Sequence, residues 1–115
     1  MNNFLSASPE IPNDVYTLFY SGQYDSVIVR LDTIKLEDPQ NIEINSMLGD
    51  AFQKLQRWHE AIECYENVYQ VQPKLKSNVM DYSIVLQKVG YSERAQKLLS
   101  TALTTDSTNT SLMRM

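Results

Sequence analysis

The chain is poor in the residues that build disulfides, metal clusters and catalytic sites. Its 115 residues include one cysteine, Cys64, and one histidine, His59. A single cysteine excludes an internal disulfide and a thiolate metal cluster, and it fits a reducing compartment. The three glycines are scattered, so there is no glycine-rich phosphate loop. We therefore predict that the protein is not an enzyme and has no catalytic residue, metal or cofactor.

Positive charge and long apolar runs are also scarce. The formal net charge is −4, so the chain lacks the basic stripe that binds nucleic acid or anionic lipid. No stretch approaches the roughly 20 apolar residues that cross a bilayer. The N-terminal MNNFLSASPEI has neither the basic residues nor the apolar run of a secretory signal. We expect a cytoplasmic protein with no nucleic-acid partner and no membrane insertion.

A sequence repeat covers most of the chain. Segments 8–41, 42–75 and 76–109 are equally long and align without a gap. We call their common length the repeat length. They leave a short tail, 110–115, within one domain of residues 1–115. The positions that stay apolar or small in all three segments are Leu18/Phe52/Leu86, Val27/Ala61/Ala95, Leu31/Tyr65/Leu99 and Ile34/Val68/Ala102. This spacing predicts three copies of one structural unit.

The second segment resembles the tetratricopeptide repeat (TPR) family. It carries that family's Leu-Gly pair and its later apolar and proline positions, as Leu48-Gly49, Phe52, Trp58, Ala61, Tyr65 and Pro73. Asn45 stands where the family has an aromatic residue. The resemblance implies an all-α fold in which three helix-turn-helix repeats stack as a right-handed α-solenoid.

The apolar periodicity predicts six helices. We expect them near residues 10–21, 24–36, 42–55, 58–70, 76–89 and 92–104. Asn13, Asp38 and Asn41 are suitable helix starters, and Pro39 and Pro73 would separate successive helix pairs.

The stretch VYTLFY at residues 15–20 is apolar around more of its helix than one buried face requires. By TPR register Ile11, Val15 and Leu18 fall on the core. Tyr16, Phe19 and Tyr20 fall on the concave wall. The resemblance implies a peptide-binding groove lined by Tyr16, Phe19, Tyr20, Asp50, Gln53, Met80, Ile84 and Gln87.

Such a groove suits an amphipathic helix or a hydrophobic segment of another protein. Two other coverings stay open. Phe4 and Leu5 could fold back over Tyr16 and Tyr20, or two copies of the chain could pair through this surface.

One known TPR function is not expected. The TPR domains of heat-shock-protein co-chaperones grip a C-terminal carboxylate with Lys, Asn and Arg on the concave wall. By register these places hold Pro12, Tyr16, Met47, Ser77 and Asp81. None of them is basic, and Asp81 would repel a carboxylate.

The leading hypothesis is a protein–protein interaction module, a small chaperone that holds a helical or hydrophobic polypeptide. In size, repeat number and acidity the chain looks like the small TPR chaperones of type III secretion systems. The alternatives are a TPR scaffold, as a homo- or hetero-oligomer, and a fragment of a larger TPR protein. The scaffold would stack through poorly capped ends around Val85, Val89, Leu98 and Leu103, which Leu112, Met113 and Met115 partly cover.

Overall fold

Residues 9–102 are described in a computed structural model of the chain. The helices are α1 Asn13–Tyr20, α2 Tyr24–Lys35, α3 Ile42–Lys54, α4 Trp58–Val71 and α5 Lys76–Lys88. Residues 92–102 are also helical, and we call them α6. This part of the chain contains no strand. The predicted all-α class is confirmed.

The helix starts follow the repeat. Helices α2 and α4 begin one repeat length apart, at Tyr24 and Trp58, and so do α3 and α5, at Ile42 and Lys76. All four starts are the predicted ones, because the apolar periodicity restarts at these positions.

The predicted start of α1 is wrong. The helix begins at Asn13 rather than at residue 10, because Pro12 has extended backbone angles (φ −61°, ψ 148°). Proline also disfavours the helical conformation of the residue before it. Ile11 is nevertheless buried at 7% exposure, and Val15 at 0%, so both reach the core as expected, while Leu18 is half-buried against it.

Only one of the three proposed helix starters caps a helix. Asn41 precedes α3, and its Oδ1 accepts a hydrogen bond from the Ile44 N–H at 2.9 Å. Asn13 lies inside the first turn of α1, whose N-cap position is occupied by Pro12. Asp38 lies in the α2–α3 connection and does not start a helix.

The turn inside each helix pair requires a left-handed backbone. Gly22 and Gly90 supply it at φ 82° and 90°, and Gln56 adopts φ 61° at the equivalent place in the second segment. Glycine enters this conformation without steric cost, whereas a residue with a Cβ does not. The second segment therefore keeps the turn with an unfavourable residue.

Successive helices pack against one another from α1 to α5, as in a stack of helix pairs. One hydrophobic core runs through the stack, and its fully or largely buried members include Val15, Val27, Leu31, Ile44, Leu48, Phe52, Ala61, Tyr65, Tyr82, Leu86 and Ala95. The residues that register assigns to the groove lie on the first helix of each pair, namely α1, α3 and α5.

The far end of the stack is better protected than expected. Val85 is fully buried, so its predicted exposure is wrong, and Val89 and Leu98 are half-buried. Leu103 and the three tail residues predicted to cover this end lie outside the described residues.

Candidate protein-binding groove

The groove is built on a close approach of α3 and α4. A Cβ atom added at Gly49 would lie 2.6 Å from Cε1 of Tyr65, so only glycine fits beneath that ring. The Tyr65 hydroxyl donates to Oδ1 of Asp50 at 2.6 Å and lies 3.2 Å from Oε1 of Gln53. Burial, together with the charge of Asp50, raises the pKa of Tyr65, so the hydroxyl remains a donor. Tyr65 thereby fixes two predicted groove residues from below.

Asn45 takes the place of the family's aromatic residue with a set of hydrogen bonds. It is fully buried. Its Nδ2 donates to the carbonyl oxygens of Pro39 at 2.9 Å and Asn41 at 2.8 Å, and its Oδ1 accepts from Nδ2 of Asn67 at 3.0 Å. A buried amide satisfied in this way ties the start of α3 to the preceding turn and to α4.

A cavity of about 260 Å³ opens between α1 and α3. Its lining residues are Ile11, Tyr16, Phe19, Tyr20, Ile42, Glu43, Ser46, Met47 and Asp50. The rings of Phe19 and Tyr20 pack edge to face with centroids 5.4 Å apart, and Phe19 meets Tyr24 at the same distance. Tyr20 remains 79% exposed. The cavity is thus an aromatic shelf on α1 facing a polar wall on α3.

The structure brings together half of the predicted groove residues. Tyr16, Phe19, Tyr20 and Asp50 line the cavity between α1 and α3. Gln53 lies one turn further along α3 and is half-buried beside Tyr65. The other three, Met80, Ile84 and Gln87, are exposed on α5 and do not line this cavity.

The prediction missed Glu43 as a member of the wall. Residues 43, 46 and 50 follow a helical i, i+3, i+7 spacing, so the register that selected Asp50 also points to Glu43. Ile42 was missed as well, because it stands at the first position of α3, where periodicity is least informative.

The wall of the cavity is acidic. Burial raises the pKa of Asp50, while the hydrogen bond from Tyr65 and the charge of Lys54 act in the opposite direction. Burial, and then the charge of Asp50, raises the pKa of Asp81 on α5. The charge of Asp50 on α3 therefore reaches Asp81 on α5.

A second cavity, of about 250 Å³, lies between α4 and α6. Its floor is a polar network in which the Tyr82 hydroxyl donates to Glu66 and accepts from Nη2 of Arg94 at 2.7 Å. Arg94 also stacks over the Tyr82 ring at 5.6 Å. Because these three side chains come from α5, α4 and α6, the network joins the second and third helix pairs.

The titratable residues singled out in the sequence do not form a reactive cluster. Burial raises the pKa of Cys64 to about 11, so its sulfur is a protonated thiol at neutral pH. His59 is exposed at the start of α4. Among residues 9–102 no group of three His, Cys, Asp or Glu side chains could hold a metal ion. Every helix in that range is also too short or too polar to cross a membrane.

The stacked pairs define a TPR-type α-solenoid. No model of a known protein family matches the chain. Solved structures of MamA have this fold: MamA AMB-1 aligns with a TM-score of 0.73 at 22% identity, covering 81% of this chain and 51% of its own. MamA MSR-1 aligns with a TM-score of 0.72 at 21% identity, covering 83% and 55%. The chain thus spans about half the length of these proteins, and the likeness concerns the fold.

Proposed function

We propose that the chain is a protein-binding module that holds a helical or hydrophobic segment of another polypeptide against α1 and α3. The observation that carries this proposal is the α1–α3 cavity, which Tyr16, Phe19 and Tyr20 line from one side, with Tyr20 79% exposed. Clustered apolar surface with a polar rim marks interaction sites on soluble domains.

Binding would be driven by burial of this ring surface. Aromatic side chains supply large contact area with few rotatable bonds, so little conformational entropy is lost when a partner docks. Met80 and Ile84, 57% and 42% exposed on α5, would extend the contact when the bound segment is long enough. Helix α3 lies between α1 and α5, and its side of the groove would supply polar groups that fix the orientation of the bound segment.

The finer form of this proposal is a small chaperone, similar to those of type III secretion systems, that shields an aggregation-prone helix. It rests on the resemblance in repeat number and groove character. In this role the protein is non-enzymatic and acts in a reducing compartment such as the cytoplasm, where its single thiol, Cys64, stays reduced.

The test compares a groove variant with a control variant that truncates two exposed apolar side chains outside the cavity. The groove variant is Tyr16→Ala/Tyr20→Ala. The control is Val29→Ala/Leu36→Ala, whose side chains are 68% and 80% exposed and do not line the cavity. Tagged wild-type protein is used to recover a polypeptide from the host lysate, which is identified by mass spectrometry and then titrated by calorimetry.

We expect the groove variant to lose roughly tenfold or more in affinity, as for central aromatic contacts in other interfaces. The control should bind within about twofold of wild type, and circular dichroism should show equal helicity for both. Equal affinity losses in the two variants, or a loss of helix in the groove variant, would reject the assignment.

A scaffold is the second candidate function, and a charge reversal favours it. Glu60 and Glu63 on α4 occupy the same repeat positions as Arg94 and Lys97 on α6, one repeat length later. Glu63 and Lys97 are exposed and have no ion-pair partner among residues 9–102. Two copies related by a twofold axis could therefore place the α4 of each against the α6 of the other.

Charge exchange tests this scaffold directly. Glu63→Lys and Lys97→Glu should each weaken self-association in sedimentation velocity runs, and the double variant should restore it. Added salt should weaken the wild-type assembly, because exposed ion pairs are screened. A chain that stays monomeric at every concentration, or a double variant that is not rescued, excludes this arrangement.

A further inference from the structure

The α1–α3 cavity has a charge imbalance that a purely hydrophobic partner does not explain. Glu43 and Asp50 lie in its wall, and none of its lining residues is lysine or arginine. Neither carboxylate has an ion-pair partner among residues 9–102. A partner that buried this wall with an apolar surface alone would leave two carboxylates unpaired, which is costly.

Asp50 is held in place for an interaction on its open side. The Tyr65 hydroxyl occupies Oδ1 at 2.6 Å, and no other hydrogen bond to the carboxylate is found in the described chain. Lys54, one turn further along α3, acts on Asp50 through its charge without forming an ion pair. Oδ2 of Asp50 therefore keeps its capacity to accept from a donor in the cavity.

The opposite side of the cavity suits the rest of a cationic side chain. Tyr16, Phe19 and Tyr20 line it from α1, and the edge-to-face packing of Phe19 against Tyr20 limits how these rings can turn. Aromatic faces attract ammonium and guanidinium groups, and they also cover the methylene stem of lysine or arginine. Rings on one side and carboxylates on the other complement a single long cationic side chain.

We propose that this cavity is a subsite for a lysine or arginine side chain of the bound segment. The α1 rings cover its stem, and Glu43 and Asp50 accept hydrogen bonds from its charged head. The inference rests on the proposed function. It specifies that the bound segment carries a lysine or arginine beside its apolar contact residues. Residues 1–8 of the chain contain no lysine or arginine, so that segment does not supply the cation, and we assign the occupant as a segment of another polypeptide.

Two fluorescein-labelled peptides of about 16 residues serve as probes. Both carry leucine at i, i+3, i+4 and i+7 to form one apolar helix face. Two positions flanking that face are lysine in the first peptide and glutamine in the second. Affinity is measured by fluorescence anisotropy at an ionic strength of about 0.15 M, where attraction from distant charges is largely screened.

The variants distinguish the effect of the cavity carboxylates on peptide affinity from the effect of the protein's overall negative charge. Glu43→Gln/Asp50→Asn removes two charges from the wall. Asp25→Asn/Glu37→Gln removes two exposed charges outside it and changes the net charge equally. Glu43→Gln alone is the variant that leaves the Tyr65–Asp50 hydrogen bond intact, so it tests the wall without risk to the fold.

The lysine peptide should bind wild type about tenfold more tightly than the glutamine peptide, the effect of one hydrogen bond to a charged group. Glu43→Gln/Asp50→Asn should abolish the difference, Glu43→Gln alone should reduce it, and Asp25→Asn/Glu37→Gln should leave it within about twofold.

Three results would overturn the subsite. Equal binding of the two peptides would reject the cation and leave the groove function standing, provided that Tyr16→Ala/Tyr20→Ala weakens both. If Glu43→Gln/Asp50→Asn and Asp25→Asn/Glu37→Gln reduced the preference for the lysine peptide equally, that preference would come from long-range attraction only. If neither peptide binds the wild-type protein, the subsite and the groove are both rejected.

Discussion

Tyr65 and Tyr20 show how position in the repeat decides what the same residue type does. Tyr65 on α4 is 1% exposed, and its ring lies against the backbone of Gly49. Tyr20 on α1 is 79% exposed at the rim of the cavity. Both belong to apolar helical stretches, so hydrophobicity alone does not separate them. The interior tyrosine is distinguished by a small partner on the facing helix.

The repeat places other residues at the positions of Gly49 and Tyr65 in the first and third segments. There the residue on the first helix is larger than glycine, and the residue on the second helix is smaller than tyrosine. The equivalent pairs, each one repeat length from the next, are Val15/Leu31, Gly49/Tyr65 and Ser83/Leu99. Close-packed interiors tolerate such exchanges when total volume is conserved.

The sharpest contrast should appear when each tyrosine is truncated. Tyr65→Ala should lower the free energy of unfolding by about 3–5 kcal/mol, because it leaves a large cavity under α4. Tyr20→Ala should change it by less than about 0.5 kcal/mol. Urea unfolding followed by circular dichroism measures both, and similar losses for the two variants would erase the distinction drawn between them.

Replacing Gly49 and Tyr65 by the residues of the first segment tests whether total side-chain volume decides how well such a pair packs. Gly49→Val should lower the free energy of unfolding by about 1–3 kcal/mol, because its side chain overlaps the Tyr65 ring. Adding Tyr65→Leu creates the Val/Leu combination of the first segment and should recover most of the loss. A double-mutant cycle measures this coupling. Additive losses would show that the three pairs are not interchangeable.

Removing the buried amide should have an intermediate effect. Asn45→Ala leaves the Nδ2 group of Asn67 and the Pro39 carbonyl without their partner, so we expect a loss of about 2 kcal/mol in the free energy of unfolding. Asn67→Ala removes one of the three bonds and should cost less. The reverse order in thermal melts would mean that the Asn45 network does not stabilise the start of α3.

The smallest expected effect is an increase in the free energy of unfolding. Gln56→Gly replaces a residue at φ 61° with the residue that Gly22 and Gly90 supply at the equivalent turns. Relief of the left-handed strain should outweigh the flexibility of glycine in the unfolded chain, which predicts a stabilisation of about 0.5–1 kcal/mol. Gln53→Gly, inside α3, is the opposing control and should destabilise. A destabilised Gln56→Gly would show that the turn is not strained.

The repeat made much of the fold predictable from sequence. The starts of α2, α3, α4, α5 and α6 were predicted correctly because they recur at the repeat length, and Asn41 was recognised as a cap by its residue type. The start of α1 did not follow from periodicity, because Pro12 restricts the backbone of the residue before it and delays the helix to Asn13. Local backbone chemistry overrode periodicity there.

The candidate site was predictable only in part. Register assigned Tyr16, Phe19, Tyr20 and Asp50 to the groove, since these positions follow from helical geometry. Register could not show that the cavity ends at Asp50, because register does not specify how closely α1 and α3 approach each other. The clamp on Asp50 by Tyr65 was equally hidden, since it joins residues 15 positions apart on different helices.

The most direct test of the binding groove is a ¹H–¹⁵N NMR titration of the chain with the lysine peptide. We expect the largest amide shift changes to map to residues 11–20 and 42–50, and to vanish in Tyr16→Ala/Tyr20→Ala while the spectrum stays dispersed. Shift changes centred on α6, or none at all, would contradict the assignment of the α1–α3 cavity as the binding surface.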